Sequence, residues 1–209
     1  MTQNTFKRLG LAAVLLMAGI SSAAAHHAMG GTTPTTFMDG FLSGIGHPVI
    51  GIDHLAFIVA IGIAAAFVSG GFGIIAGFIA ASSIGVLAHV IELNVPLVEL
   101  LVAASVIAAG AALAVGLTGA RCGWLMLAII AGLFQGYAFG ETVVGAEHNV
   151  IGGYLIGLAI IQAVIASLAM LASRRFLVSA EQSPMGLRAA GGALTALGLF
   201  LLVISLVET

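Results

Sequence analysis

The chain has 209 residues, of which 61% are hydrophobic and 7% are charged, and its formal net charge is -2. A soluble domain carries about 25% charged residues, so this composition excludes a water-soluble globular protein and favours a membrane protein. The single cysteine excludes an intrachain disulfide and a cysteine-based zinc site. The sequence has no basic patch, which speaks against nucleic-acid binding.

The N-terminal segment has the pattern of a cleavable secretory signal. Lys7 and Arg8 form a positive end, a short apolar run follows, and small residues end at Ala25. We therefore predict that residues 1–25 are a signal peptide and that His26 becomes the new N-terminus. The alternative is an uncleaved first transmembrane helix, which is disfavoured because the apolar run is shorter than the roughly 20 residues that a span requires.

Six further apolar segments follow, each close to the length that crosses about 30 Å of hydrocarbon as a helix. Their predicted limits are 47–68, 72–91, 97–117, 122–140, 149–172 and 189–207. Most connections between them are short, which favours one bundle over separate domains. The predicted fold class is all-α, a polytopic membrane helix bundle of six transmembrane helices after a cleaved signal peptide.

Charged and histidine side chains are distributed unequally between the two sides of this predicted bundle. With the mature N-terminus outside, the four arginines that follow the signal lie on the cytoplasmic side, as the positive-inside rule requires. Glu181 is the one acid placed with them, and the other acids and the histidines lie towards the periplasm. These are Asp39, Asp53, Glu92, Glu99, Glu141, Glu147 and Glu208, with His26, His27, His47, His54, His89 and His148. The pattern predicts an inner-membrane protein whose periplasmic mouth is rich in cation ligands.

The strongest motif opens the first predicted span and reads His-Pro-Val-Ile-Gly-Ile-Asp-His, from His47 to His54. In a continuous helix the two histidines would share one face about 10 Å apart, with Gly51 between them. Pro48 suits the first turn of such a helix. Asp53 would point roughly 100° away from His54. An aspartate inside a span costs about 2.5–3.5 kcal/mol, so a binding site is favoured over a structural pair that pins helices together.

Further candidate ligands lie on the same predicted side. His89 is near the end of the second span and Glu99 is in the outer part of the third, while His26 and His27 form a pair at the predicted N-terminus. Imidazole and carboxylate together suit nickel, cobalt, zinc, iron or copper ions. The predicted metal ligands are His47, Asp53, His54, His89, Glu99, His26 and His27. Glu92, three residues after His89, could be only an interfacial acid, and the N-terminal pair could be a chance pair in a terminal tail.

At the His-Pro-x-x-Gly-x-Asp-His motif the sequence resembles the HupE/UreJ family of nickel/cobalt permeases, which carries this motif at its first span. Ala88 and His89 resemble the Ala-His element of the family's second span, and Glu99 resembles the glutamate of the following span. The sequence departs from the family at Gln135, where a histidine is expected, and at residues 90–92, where Val-Ile-Glu replaces Ser-x-Thr. The resemblance covers the mature chain and implies secondary transport of nickel or cobalt to metalloenzymes such as urease and hydrogenase.

Three functions are compatible with these observations. The favoured one is a secondary transporter that imports nickel or cobalt, with residues 26–209 as a six-helix transmembrane permease domain. Its expected partners are the lipid bilayer and a divalent metal ion, which is bound transiently as cargo and not as a prosthetic group; downstream metallochaperones and a homo-oligomer are left open. A membrane-embedded metalloenzyme is disfavoured because the chain lacks His-Glu-x-x-His and Gly-x-Ser-x-Gly. A metal-binding accessory protein that transports nothing is the third function.

Overall fold

The computed structural model describes residues 33–178 and 183–208. Across these two ranges every regular element is helical, which confirms the predicted all-α class. The predicted signal peptide and the predicted ligands His26 and His27 lie outside the described residues. The signal and its cleavage after Ala25 therefore stay predictions.

Seven α-helices and two short helical turns make up the described chain. The helices are α1 (Phe37–Ile50), α2 (Ile52–Ala66), α3 (Gly71–Val90), α4 (Val98–Ala114), α5 (Arg121–Gly140), α6 (His148–Ser173) and α7 (Ser183–Glu208). A 3-10 turn, Glu141–Val143, follows α5, and a π-helical turn, Arg174–Val178, follows α6. The second to fifth predicted spans coincide with α3, α4, α5 and α6 to within three residues at each end.

The first predicted span, 47–68, is wrong in its start and in its continuity. Two helices, α1 and α2, occupy this region, and they meet at an angle of 80°. Pro48 lies in the last turn of α1 and not in the first turn of a span, and it lacks the N–H that would bond to the preceding turn. Gly51 then takes an extended conformation (φ -73°, ψ 104°), ends α1 and precedes α2. The histidine motif therefore crosses a helix break.

A capping box starts α1 ten residues before the predicted span. The Asp39 N–H donates to Thr36 Oγ1 (3.1 Å), and the Thr36 N–H donates to the Asp39 carboxylate (3.0 Å). This reciprocal pair satisfies N–H groups that a helix start would otherwise leave without partners. The start of α1 is thus specified locally by a Thr-x-x-Asp pattern.

The structure has four helices that are individually long and apolar enough to cross a membrane, namely α3, α5, α6 and α7. The bent pair of α1 and α2 meets the same criterion when taken together, which raises the count to five. α4 is apolar but has 17 residues, about 25 Å of helix, which is shorter than the roughly 30 Å of a hydrocarbon core. The described residues thus contain four or five candidate spans by length and composition, and a sixth span stays a prediction.

α3 and α5 pack in parallel through glycines. Gly77 faces Leu125 at one end of the pair, and Gly140 faces His89 at the other. Between them, Gly136 lies so close to α3 that a Cβ at this position would be 2.0 Å from a backbone carbonyl oxygen. Small residues let helix backbones approach in this way where lipid provides no hydrophobic driving force.

The other close pairs have directions that agree with spans alternating across a bilayer. α1 runs parallel to α6, with Gly40 against Val150 and Gly44 against Tyr154. α4 runs antiparallel to α7, with Ala114 near Gly191 and Ile107 near Gly198. In a chain of alternating spans, the first and fifth spans run in one direction, the second and fourth run together in the other, and the third opposes the sixth. The observed helix pairs follow this rule.

Arginines and His89 occupy opposite ends of the bundle. Arg121, at the start of α5, lies against Gly70, which precedes α3. The Arg174 guanidinium lies 6.0 Å from the centre of the Phe72 ring at the start of α3. His89 is near the far end of the same helix. The fold therefore separates these arginines from the histidine-bearing end, as the sequence predicts.

Candidate functional site

His47 and His54 approach each other across the break between α1 and α2. Their ring centroids are 5.6 Å apart, and each side chain is 1% exposed. This distance is shorter than the separation of about 10 Å expected from a continuous helix, because the chain bends at Gly51. The Phe139 ring packs against both imidazoles, with centroid distances of 5.1 Å to His47 and 4.1 Å to His54. The two imidazoles therefore meet in a buried, aromatic-lined position.

A chain of hydrogen bonds fixes the tautomer of His54. The Ser105 hydroxyl donates to the Val102 carbonyl (2.7 Å), so its oxygen accepts from the Gln135 amide nitrogen (3.0 Å). Gln135 Oε1 is thereby turned towards His54 Nδ1 and lies 2.5 Å from it. Because an amide oxygen can only accept, Nδ1 carries the hydrogen and Nε2 carries the lone pair. Gln135 thus orients the His54 imidazole through its amide oxygen.

A second chain fixes His47 in the same tautomer. The Tyr154 hydroxyl donates to the Phe139 carbonyl (2.7 Å), and its oxygen lies 2.9 Å from His47 Nδ1. Since the only hydroxyl hydrogen points to the carbonyl, Nδ1 is the donor in its contact with Tyr154. Thr142 Oγ1 also lies 2.9 Å from Nδ1. The lone pair of His47 is therefore on Nε2.

His89 follows the same rule at the end of α3. Its Nδ1 donates to the Tyr137 carbonyl (2.6 Å), and its ring stacks on the Tyr137 ring with centroids 4.1 Å apart. The Tyr137 hydroxyl donates to the Leu93 carbonyl (2.6 Å), which ties the connection between α3 and α4 to α5. Metal-binding histidines typically donate their second ring N–H to a carbonyl or carboxylate, which orients the other nitrogen towards the ion. His89 has this arrangement with a backbone carbonyl and His54 with an amide oxygen, whereas His47 donates from Nδ1 to a hydroxyl oxygen.

The Nε2 atom of His54 is buried and, among the described residues, has no hydrogen-bond partner. Asp53 Oδ1 lies 4.0 Å from this atom and also accepts from the His54 backbone N–H (2.9 Å). The carboxylate therefore does not point away from His54 as expected; it folds back over the first turn of α2, where a negative charge is favoured. An imidazole lone pair and a carboxylate oxygen thus face the same small region.

The predicted ligands do not all converge. Within residues 33–178 and 183–208, no three His, Cys, Asp or Glu side chains are placed to hold one metal ion. His47 and His54 come together with Asp53 beside them, whereas His89 lies between α3 and α5 and Glu99 is exposed at the start of α4. The ligand assignment as a whole stays a prediction.

The spacing of three residues predicts that Glu92 shares a helical face with His89, and the structure does not place it there. α3 ends at Val90, and Glu92 has a left-handed backbone (φ 59°) in the following turn. Its side chain is exposed and does not continue the helical face that bears His89. The interpretation of Glu92 as an ordinary interfacial acid, and not a ligand, is therefore favoured.

Sequence analysis missed the residues that orient the imidazoles. Tyr154, Thr142 and Ser105 are buried and lie in apolar surroundings, and their hydroxyls require hydrogen-bond partners there. The need for partners could have marked these three residues in the sequence, but it does not indicate which group each hydroxyl contacts. Sequence analysis noted Gln135 as a departure from a family pattern, and its hydrogen bonds give it a defined role.

Fold and site together define a class, a multi-pass helical membrane protein with buried imidazoles held in the tautomer that suits metal binding. The sequence model of one protein family, described as HupE / UreJ protein, matches residues 13–201. This match covers most of the chain, so the protein belongs to the HupE/UreJ family, and the resemblance seen in the histidine motif is confirmed. It is a family of transporters and accessory proteins and not of enzymes. Neither curated proteins nor solved structures give a match.

Proposed function

We propose that this protein is a secondary transporter that imports a divalent transition-metal ion, nickel or cobalt, across the bacterial inner membrane. The observation that carries the proposal is the pair His47 and His54, two buried imidazoles from separate helices whose lone pairs are both on Nε2. Membership of the HupE/UreJ family supports the same conclusion.

The chemistry of the pair favours a borderline transition metal. Imidazole nitrogen is a good ligand for nickel, copper, zinc and iron, whereas magnesium and calcium prefer oxygen ligands alone. In the proposal His47 and His54 supply two nitrogen ligands, the Asp53 carboxylate offsets the charge of the dication, and water completes the coordination. A site with so few protein ligands suits a cargo ion, which must also leave. The ion is thus substrate and not a prosthetic group.

The remaining predicted ligands are assigned to the entry route. His89 and Glu99 are proposed to receive the ion on its way to the imidazole pair, and His26 and His27 to collect it at the mature N-terminus. With six alternating spans and the arginines in the cytoplasm, the histidine end faces the periplasm. Entry of a dication is then favoured by about 4.6 kcal/mol for each 100 mV of negative-inside potential, which is twice the value for a single charge.

The proposal is tested with the purified full chain in two assays. Co²⁺ binding is followed by the visible absorption of the ion in detergent, and Co²⁺ uptake is followed by quenching of calcein trapped inside proteoliposomes. His54→Ala combined with Asp53→Ala is expected to abolish uptake and to lower Co²⁺ affinity by roughly 100-fold, since loss of an orienting group alone costs about 10–100-fold.

His148→Ala is the matched control, because His148 is exposed at the start of α6, outside the buried pair. It is expected to bind and transport Co²⁺ like the wild type. Uptake by the double variant at the wild-type rate would refute the assigned site. Tight Co²⁺ binding by the wild type without any uptake would instead identify a metal-binding accessory protein, and competition by Ni²⁺, Zn²⁺ and Fe²⁺ would rank the metals.

A further inference from the structure

A second buried polar group lies between α6 and α3. The side chains of Gln162 and Ser82 are fully buried, and the Gln162 amide nitrogen lies 3.0 Å from Ser82 Oγ, to which it donates. The sequence around Gln162 is apolar, with two isoleucines before it and Ala-Val-Ile after it. A polar side chain in the middle of a candidate span is costly unless its polar atoms find partners.

The two glutamines that are buried among the described residues differ in one respect. Gln135 uses both ends of its amide, since Nε2 donates to Ser105 and Oε1 accepts from His54. Gln162 uses only its nitrogen, and among the described residues its Oε1 is buried without a hydrogen-bond partner. Buried carbonyl oxygens are nearly always paired, so an unpaired one calls for a ligand that the polypeptide does not provide. Gln162 Oε1 can only accept, and its ligand is therefore a cation or a donor such as water.

The position of Gln162 relates it to the imidazole pair. It follows Tyr154, the partner of His47, by eight residues on α6, which is about 12 Å along the helix and towards the end that carries Arg174. Ser82 packs against Gly136, the neighbour of Gln135. The two polar groups thus lie deeper in the bundle than His47, on the way from the histidine end to the arginine end.

Ser43 marks the other side of the histidines. It is 1% exposed, its hydroxyl oxygen has no partner within the described residues, and it lies one helical turn before His47 on α1. Among the described residues, Ser43, His54 and Gln162 therefore each carry a buried side-chain atom without a hydrogen-bond partner.

We infer that Gln162 and Ser82 form a second binding site for the cation, made of oxygen ligands only, on the arginine side of His47. This inference rests on the proposed transport function. An amide oxygen and a hydroxyl are neutral and hold a transition-metal ion more weakly than imidazole does. A weak second site suits passage, because conduction requires binding that is favourable enough to enter and weak enough to leave. Neither group titrates, so the second site carries an ion and not a proton.

The test separates binding from passage. Gln162→Leu removes the unpaired oxygen and keeps a similar volume, and Ser82→Ala removes only a hydroxyl. For Gln162→Leu we expect Co²⁺ absorption and affinity in detergent to match the wild type, while the rate of calcein quenching in proteoliposomes falls roughly tenfold or more. Ser82→Ala is expected to show a smaller loss of rate at unchanged affinity. Met170→Leu, a buried change on the same helix with no polar atom, is the control and should transport normally.

The outcomes are distinguishable. Wild-type uptake by both Gln162→Leu and Ser82→Ala, with His54→Ala inactive, would overturn the second site and leave the transport proposal intact. Loss of Co²⁺ affinity in Gln162→Leu would overturn a separate second site, since Gln162 would then act through the imidazole pair. Absence of uptake by the wild type would overturn the transport function and the second site with it. If size-exclusion chromatography shows that Gln162→Leu is misfolded, the uptake rate of Ser82→Ala decides between these outcomes.

Discussion

Gly51 lies directly against the His54 ring: a Cβ at position 51 would be 2.6 Å from His54 Cδ2 and 3.1 Å from the Asp53 carboxylate. The backbone of Gly51 has a negative φ, so the requirement for glycine here is one of space and not of conformation. The absence of one side chain lets imidazole and carboxylate share the region just after the helix break. The helix break and the candidate site therefore depend on the same residue, Gly51.

Gly51→Ala is expected to displace the His54 ring and to weaken Co²⁺ binding about tenfold or more, as changes to groups that orient a metal-binding imidazole do. Overpacking of this kind also costs roughly 1–3 kcal/mol of stability. The measurement is Co²⁺ titration in detergent. Gly152→Ala is the control, because a Cβ there meets nothing within 4 Å. Equal affinity in both variants would show that Gly51 does not shape the site.

Gln135→Leu is expected to lower Co²⁺ affinity by roughly 10–100-fold, because His54 Nδ1 loses the acceptor that fixes its tautomer and orientation. Gln135→Glu keeps an oxygen acceptor at the same place and should recover most of the affinity. The two variants are compared by Co²⁺ absorption on the purified chain. Identical affinities for Leu and Glu at this position would contradict the orienting role.

The two partners of His47 Nδ1 are expected to substitute for one another. Tyr154→Phe and Thr142→Val each leave one oxygen 2.9 Å from the imidazole, so each alone should have a small effect on Co²⁺ affinity. Together they should lower the affinity by more than the product of the single effects, since residues in one hydrogen-bond network are not additive. A double-mutant cycle measured by Co²⁺ titration decides this, and strict additivity would count against a shared role.

Gly136→Ala is expected to destabilise the packing of α3 on α5 by about 3 kcal/mol, because the new Cβ would meet backbone that cannot move aside. The chain has one tryptophan, Trp124, which is buried on α5, so its fluorescence reports the thermal midpoint in detergent. Gly123→Ala on the same helix adds a Cβ at an ordinary distance of 3.6 Å from its nearest neighbour and should leave the midpoint unchanged or raise it. A reversed order would argue against close α3–α5 packing.

The mature N-terminus is predicted to be His26. Intact-mass measurement of the chain purified from membranes should therefore show loss of residues 1–25. A full-length mass would establish the alternative, a retained first helix that is held by Lys7 and Arg8 on the cytoplasmic side.

Most helix positions could be predicted because a long apolar run has few stable conformations in lipid other than a helix. α3, α5 and α6 therefore begin and end within one residue of their predicted limits. α1 was missed because Asp39, Ser43 and three glycines precede His47 in it, so hydropathy does not mark it. The Thr36-x-x-Asp39 capping pattern was the local signal that could have located its start.

The sequence alone singles out the residues of the candidate site but not the groups that hydrogen-bond to them. His47, His54 and Asp53 were identified because ionisable residues are rare in spans. The distance between His47 and His54 could not be predicted, because Pro48 and Gly51 end a helix where the sequence predicts a continuous one. Gln135 and Tyr154 are 81 and 107 residues away from the imidazoles that they orient, and no sequence periodicity connects positions so far apart.

Three histidines from three different helices are held by groups that lie on α5 or are themselves fixed by it. The Gln135 side chain holds His54, and the Tyr137 carbonyl holds His89. Tyr154 holds His47, and the Phe139 carbonyl fixes the Tyr154 hydroxyl. Of these groups, Gln135, Tyr137 and Phe139 belong to α5. A sliding or rotation of this single helix would turn all three rings at once. Under the proposed transport function, movement of this one helix would be enough to reorient the imidazoles together.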